Sequence, residues 1–323
     1  HFVSNVDSDS IYETLNRINI DETLFIISSK SFSTAETRHN AKFIQKWLID
    51  KFKDDAFSKK FIENHFCAIT ANEGAAIGFG IPKDRIFKIW DWIGGRYSIW
   101  SSMGLPLAIA IGYKNFTQFL DGARDMDQHF TSQEWNNNMP VILGLLSIWY
   151  RNFFNYQSHA ILPYSDSLAL LPQYLQQLVM ESNGKSVDRA GTDVSYNTSA
   201  IIWGDIGTNF QHAFGQHLHQ SSTITPCDFI LVIDSQEGYY PETMIKAIEQ
   251  QNLLIANCLA QSKALMEGKD VESVKNKLYR DGYSDNKVSK LAPHMILPGN
   301  RPSNTMIMKS INPKSLGALI ALY

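Results

Sequence analysis

The sequence predicts an α/β protein of parallel sheets flanked by helices, and three recurrences of strand, loop and helix predict it. Leu24–Ser28 leads into the polar run Ser29–Ser33 and then a helical pattern reaching Lys51. Ala200–Trp203 leads into Gly204–Gly207 and a helix beginning near Thr208. Phe229–Ile233 leads into a turn and a long helix, Pro241–Gly268, with proline at its first position and glycine at its end. The apolar runs are short and rich in β-branched or aromatic residues, which suits strands buried on both faces. Ligands of such sheets sit at the carboxyl ends of the strands, so these loops are where a site is expected.

A chain of 323 residues exceeds one ordinary small domain. A boundary near Tyr113 gives two domains, 1–113 and 114–323, with Thr131-x-x-Glu134 read as a capping box in the second. Hydrophobic residues at 44% and charged residues at 19% are enough for sizeable cores. A net charge of −3 provides no broad basic field for nucleic acid or an anionic membrane, so any anion must be held by a local, shaped site. The cysteines Cys67, Cys227 and Cys258 form no CxxC pair, which fits a reducing compartment. The runs Val141–Tyr150 and Leu105–Ile111 are too short to span a bilayer, and His1–Ser10 lacks the basic start of a signal peptide. A cytoplasmic protein is expected. Both ends read as cut, since the chain opens on apolar Phe2–Val6 and closes on the amphipathic pattern Ser315–Tyr323 without a stop signal.

Four constellations carry chemistry. In Ser29-Lys30-Ser31-Phe32-Ser33-Thr34, four hydroxyls and one ammonium gather between a strand and a helix, with Ser33-x-x-Glu36 as a capping box. Unpaired backbone N–H groups and the helix dipole already favour an anion there, and a phosphate monoester suits it. Plain N-capping explains one or two of these hydroxyls but not the cluster. In Asp91-Trp92-Ile93-Gly94-Gly95-Arg96-Tyr97-Ser98, paired glycines permit close backbone approach and Arg96 offers a planar fork of donors. A tight turn with a structural arginine is the plainer alternative.

Glu181 falls in the last turn of a helix begun near Leu168 and ended by Asn183-Gly184. The dipole disfavours negative charge there, and a carboxylate so placed is a candidate general base. A solvated surface glutamate is the alternative. Gln177 lies one turn earlier on the same face. Finally, Gln211–His219 holds His212, His217 and His219, yet it lacks HExxH spacing and any carboxylate. One of these histidines is better read as an acid–base group or a packed residue than as a metal ligand.

Together these segments resemble the glucose-6-phosphate isomerase family. DWIGGRYSIWSSMG at Asp91–Gly104 matches one of the family's diagnostic signatures at every constrained position. LFIISSKSFSTAET resembles its phosphate loop, and QQLVMESNGK and GTNFQHAFGQHLHQ resemble its two catalytic segments, in the same order. The resemblance runs from Phe2 to Tyr323 and implies two sugar-isomerase (SIS-type) domains, the first incomplete. It implies that Ser29, Lys30, Ser31 and Thr34 hold the phosphate, and that Gly95 and Arg96 lie beside the sugar with Arg96 stabilising an enediolate. It implies that Gln177 contacts the substrate and that Glu181 moves the proton between C2 and C1. His219 would assist ring opening from a neighbouring subunit, which implies a homodimer.

The reaction implied is reversible isomerisation of glucose 6-phosphate and fructose 6-phosphate, with neither metal nor organic cofactor. The family's glycine–serine loop and its C-terminal signature with a catalytic lysine have no counterpart here. Ser31 stands where threonine is usual, and the familiar QLIHQG reads Gln216–Ser221. The rival reading is a catalytically incomplete sugar-phosphate-binding fragment. More distant rivals are a metal-dependent hydrolase and a purely structural protein.

Overall fold

The computed structural model describes residues 1–234 and 244–323. Contacts divide the chain into two compact units, His1–Phe116 and Thr117–Tyr323. Each holds one parallel sheet.

In the first unit the strands are β1 (Phe25–Ser28), β2 (Phe66–Thr70) and β3 (Ile86–Lys88), in the order β1-β2-β3. All pairings are parallel, with Phe25 opposite Phe66 and Ala68 opposite Ile86. Every residue of β2 is buried, as an apolar central strand requires. Ile27, Phe66 and Ala68 pack with Leu48, Phe61 and Ile62 from the helices Ala35–Phe52 and Asp55–His65. Asp54 starts the second of these helices by accepting from Ala56 N and Phe57 N.

The second unit has β4 (Ser158–Tyr164), β5 (Ile201–Gly204), β6 (Cys227–Val232) and β7 (Ser303–Met308), ordered β5-β4-β6-β7 and all parallel. Its two faces carry different cores. On one, Ala160, Leu162, Tyr164 and Phe229 pack against Phe210, Leu218, Cys258 and Leu265. On the other, Ile161, Ile202 and Ile230 pack against Leu171, Leu175, Leu178 and Leu319. The alternation along β4 is the period of two that sends successive side chains to opposite faces. The helices Tyr113–Ser132 and Pro313–Leu322 cross at glycines. A Cβ on Gly122 would lie 1.8 Å from Lys314 O, and one on Gly317 would lie 2.0 Å from Phe119 O.

The expected strands appear within a residue or two of their predicted ends. Two expected caps do not form. Thr131 lies inside the helix Tyr113–Ser132 and its hydroxyl donates to Asp127 O. The next helix, Met139–Asn152, is opened by Asn138, whose side chain accepts from Val141 N. Ser33 is likewise not a cap, because the helix starts at Ala35 with Thr34 in the capping place. The long helix is described as Met244–Glu267, so the expected start at Pro241 lies outside the described residues. Among the described residues, no helix is long and apolar enough to cross a membrane.

The thiols are buried. Burial pushes Cys67 up to about 11 against the pull of Arg85, and Cys258 up to about 12. The second sheet also buries a histidine–carboxylate pair. His159 Nε2 lies 3.0 Å from Asp228 Oδ2, Asn304 donates to Asp228 Oδ1 at 2.8 Å, and Tyr323 OH donates to Oδ2 at 2.9 Å. Burial opposes the charge on Asp228, but His159 and these donors outweigh it and hold the carboxyl below its ordinary value. Burial also opposes the charge on His159, and Asp228 outweighs it, leaving the imidazole above its ordinary value.

The two shifts define a pH window for stability. The Asp228 contribution is complete above its ordinary value of 3.8 and is lost as pH falls through the lowered folded value. The His159 contribution is complete below 6.5 and is lost as pH rises through the raised folded value. Melting temperature followed by circular dichroism should therefore be highest between 3.8 and 6.5 as far as this pair contributes. Asp228→Asn should lower it there and flatten the acid limb; an unchanged profile would mean the pair is not ionised.

Candidate functional site

In the first unit the carboxyl ends of the strands converge. Ser29 N donates to Ile69 O at 3.0 Å, continuing the β1–β2 pairing into the loop. Lys30 O then accepts from Ala71 N at 2.8 Å and from Thr70 Oγ1 at 3.0 Å, while Asn72 Nδ2 donates to Ser31 O at 3.3 Å. The loop after β2 thus pins the carbonyls of the hydroxyl loop. Phe32 turns the chain with φ of 56° and its N–H donates to Ser29 O at 3.1 Å.

Ser29 is 5% exposed, and its Oγ lies 3.0 Å from Thr34 Oγ1. Ser33 Oγ donates to Ser31 Oγ at 2.6 Å. Thr34 makes no side-chain cap bond, so its hydroxyl stays with Ser29 rather than closing the helix start. The first-turn N–H groups and a belt of hydroxyls therefore share one place, the arrangement suited to a phosphate.

The Gly-Gly-Arg segment follows β3 on the same edge of the sheet. Lys30 Nζ reaches it, donating to Asp91 O at 2.6 Å and Ile93 O at 3.0 Å. Gly95 and Arg96 open a short 3-10 helix, Gly95–Trp100, fastened where Ser98 Oγ donates to Gly95 O at 2.6 Å. A Cβ on Gly95 would meet nothing within 4 Å, so the described fold leaves open space over this backbone. Ser29, Lys30, Ser31, Thr34, Gly95 and Arg96 are thus gathered at one strand edge.

In the second unit, Glu181 closes a π-helical stretch, Gln176–Glu181, rather than an ordinary helical turn. Such wide turns are uncommon and frequent at functional sites. The helix continues to Asn183 and ends at Gly184, whose N–H donates to Met180 O at 2.8 Å. Gln177 and Glu181 share its exposed side, opposite buried Leu175 and Leu178.

Their position differs from the expectation for parallel sheets. Ile202 N donates to Met180 Sδ at 3.3 Å, which sets Glu181 beside the amino end of β5 rather than at a carboxyl end. The reason is connectivity, since a helix following a strand runs back along it.

His219 lies on the helix Gly215–Gln220, half-buried, with Nε2 2.7 Å from Gln261 Oε1 and Nδ1 buried without a hydrogen-bond partner. His212 and His217 are exposed. Among the described residues, no group of three His, Cys, Asp or Glu is placed to hold a metal ion. Glu181 belongs to the helix packed on one face of the second sheet and His219 to the helices packed on the other. The two thus lie on helices that cover opposite faces of the sheet.

The groups missed from sequence are those that orient the named ones: Thr70 and Asn72 under the hydroxyl loop, Gln261 beside His219, and the carbonyls that hold Lys30. Only Asn72 left a local signal, as the cap that accepts from Ala75 N.

The fold defines an α/β protein of the sugar-isomerase type, with a hydroxyl-rich loop at the strand ends of one parallel sheet. The family model for phosphoglucose isomerase matches residues 1–323, and the chain belongs to that family. It is 47% identical over its whole length to a glucose-6-phosphate isomerase of Pseudomonas syringae, covering 56% of that protein. It is 49% identical to one from Coxiella burnetii, covering 57%. A crystal structure of a glucose-6-phosphate isomerase from Chlamydia trachomatis superposes with a TM-score of 0.81 at 35% identity, with all of this chain and 57% of that one covered. A hypothetical protein from Thermus thermophilus shares the fold at a TM-score of 0.72 and 23% identity, with 69% of that chain covered. The chain thus spans just over half the length of the curated relatives it matches.

Ser29→Ala removes the hydroxyl that sets Thr34, and hydrogen bonds to charged groups contribute about 1.5–3 kcal/mol. Calorimetric titration with inorganic phosphate should show affinity about 10- to 100-fold weaker than wild type. Equal affinity would remove the hydroxyl belt from the anion site.

Proposed function

We propose that the chain carries the isomerase site for reversible interconversion of glucose 6-phosphate and fructose 6-phosphate in the cytoplasm. The observation that carries this reading is the hydroxyl loop tied through Lys30 to the segment bearing Gly95 and Arg96. Ser29, Ser31 and Thr34 hold the phosphate with the N–H groups of the helix start, and Lys30 adds its charge. The phosphate is remote from the reacting carbons, so this binding serves orientation.

Once the sugar ring is open, the Glu181 carboxylate removes the proton alpha to the carbonyl. The electron pair passes to oxygen as an enediolate, whose charge Arg96 stabilises. The protonated Glu181 then returns the proton to the neighbouring carbon. Gln177 contacts the sugar, and Gly95 offers backbone free of side chain. With Glu181 as base and Arg96 supplying the charge stabilisation that a Lewis acid would otherwise give, this mechanism uses neither metal nor organic cofactor.

Ring opening is assigned to His219 acting on the site of a second copy in a homodimer. Its place on the sheet face opposite Glu181 supports that assignment. A second reading, sugar-phosphate binding without turnover, is favoured by the chain's spanning 56% of a matched relative's length.

Proton NMR of fructose 6-phosphate in D2O separates the two. The isomerase reading expects deuterium at C1 with wild type and at least about a 100-fold slower rate with Glu181→Gln, the scale of a lost general base. Binding of the sugar phosphate with no exchange by either protein would establish the second reading instead.

A further inference from the structure

Lys30 does more here than add charge to an anion site. Its ammonium has three N–H donors, and two are spent on the backbone carbonyls of Asp91, at 2.6 Å, and Ile93, at 3.0 Å. Both carbonyls belong to the turn in which Ile93 N donates to Trp90 O at 3.0 Å. Gly94, Gly95 and Arg96 follow at once.

This turn has little apolar anchorage, since Trp90 is 44% and Trp92 77% exposed, and Asp91 is exposed too. Paired glycines after it give the backbone freedom that a positioned arginine cannot tolerate. Beyond the glycines the chain is fastened again, by Ser98 Oγ on Gly95 O and by Ser102 Oγ on Lys88 O. On its own side Lys30 is rigidly held, because its carbonyl takes bonds from Ala71 N and from the fully buried Thr70.

We propose that Lys30 is a positioning residue, whose ammonium clamps the Trp90–Ile93 turn to the hydroxyl loop and thereby sets the place of Arg96. The proposal rests on the isomerase reading for its consequence in turnover, but not for the clamp itself. The third N–H of the ammonium remains for an anion, so one group links phosphate binding to the placement of Arg96. Loss of the clamp then falls on the rate more than on phosphate affinity.

The test uses the full chain as wild type, Lys30→Met, which keeps the aliphatic stem, and Lys30→Arg, which restores donors. Amide hydrogen exchange is read at Ile93 and Tyr97, whose N–H groups donate to Trp90 O and Gly94 O. Lys30→Met should speed both by at least about tenfold and leave the β1 and β2 amides unchanged, with Lys30→Arg closer to wild type. Lys30→Met should also slow deuterium incorporation at saturating fructose 6-phosphate by more than about tenfold, a loss separate from any weakening of phosphate Kd because saturation removes affinity from the rate. In an Arg96→Met background the same change should cost less than about twofold, because the group it positions is gone.

Unchanged exchange at Ile93 and Tyr97 overturns the proposal. So does an unchanged rate at saturating substrate with a weakened phosphate Kd, which would make Lys30 an anion ligand only. If wild type binds phosphate but incorporates no deuterium, the isomerase reading fails and the amide exchange still decides the clamp.

Discussion

A parallel sheet ends all its strands on one edge, and the site of the first unit depends on that constraint. Because β1, β2 and β3 run the same way, the loops after Ser28, Thr70 and Lys88 emerge side by side. The β1–β2 hydrogen bonding continues through Ser29 N to Ile69 O, so the hydroxyl loop begins as an extension of the sheet. Thr70, Ala71 and Asn72 then occupy the carbonyls of Lys30 and Ser31. With its acceptors taken, the loop has donors and hydroxyls to offer, and the same helix start supplies positive potential. A site preorganised in this way spends little binding energy on ordering itself.

The second unit uses the sheet differently. Its strands run parallel as well, but Glu181 and His219 lie near the far ends of helices that return along the strands. The two faces of one sheet carry them apart. The proposed base and the proposed ring-opening group, so separated, would act on one substrate only with two chains each contributing one, so the proposed homodimer and acid–base roles stand or fall together. The buried Asp228–His159 pair lies in the same unit, with Tyr323 and Asn304 completing its hydrogen bonds. A cavity of about 190 Å³ opens beside it, lined in part by Ser158, Pro226 and Tyr323. The proposed chemistry assigns these residues no role.

Much of this was legible in the sequence because it is local. Short apolar runs followed by polar loops declare parallel strands, and the hydroxyl cluster before a helix does gather at a strand end. What escaped is set by contacts between distant residues. Thr34 gives its hydroxyl to Ser29 instead of to its own helix, a choice that local capping rules cannot make. Lys30 finds its partners 61 and 63 residues away, on carbonyls that carry no residue identity at all. Gln261 meets His219 across 42 residues. The π-helical turn before Glu181 also left no mark, since its sequence suits an ordinary helix equally well. The motif resemblance proposed the residue roles, whereas the geometry around those residues had to be seen.

In the proposed function, the loop at Ser29–Thr34 is the phosphate anchor of a sugar-phosphate isomerase site. A crystal structure of the chain grown with fructose 6-phosphate tests it most directly. Phosphate oxygens should lie within hydrogen-bond distance of the Ser31 and Thr34 hydroxyls and the first N–H groups of the helix at Ala35. A sugar phosphate bound elsewhere, with that loop unoccupied, would contradict it.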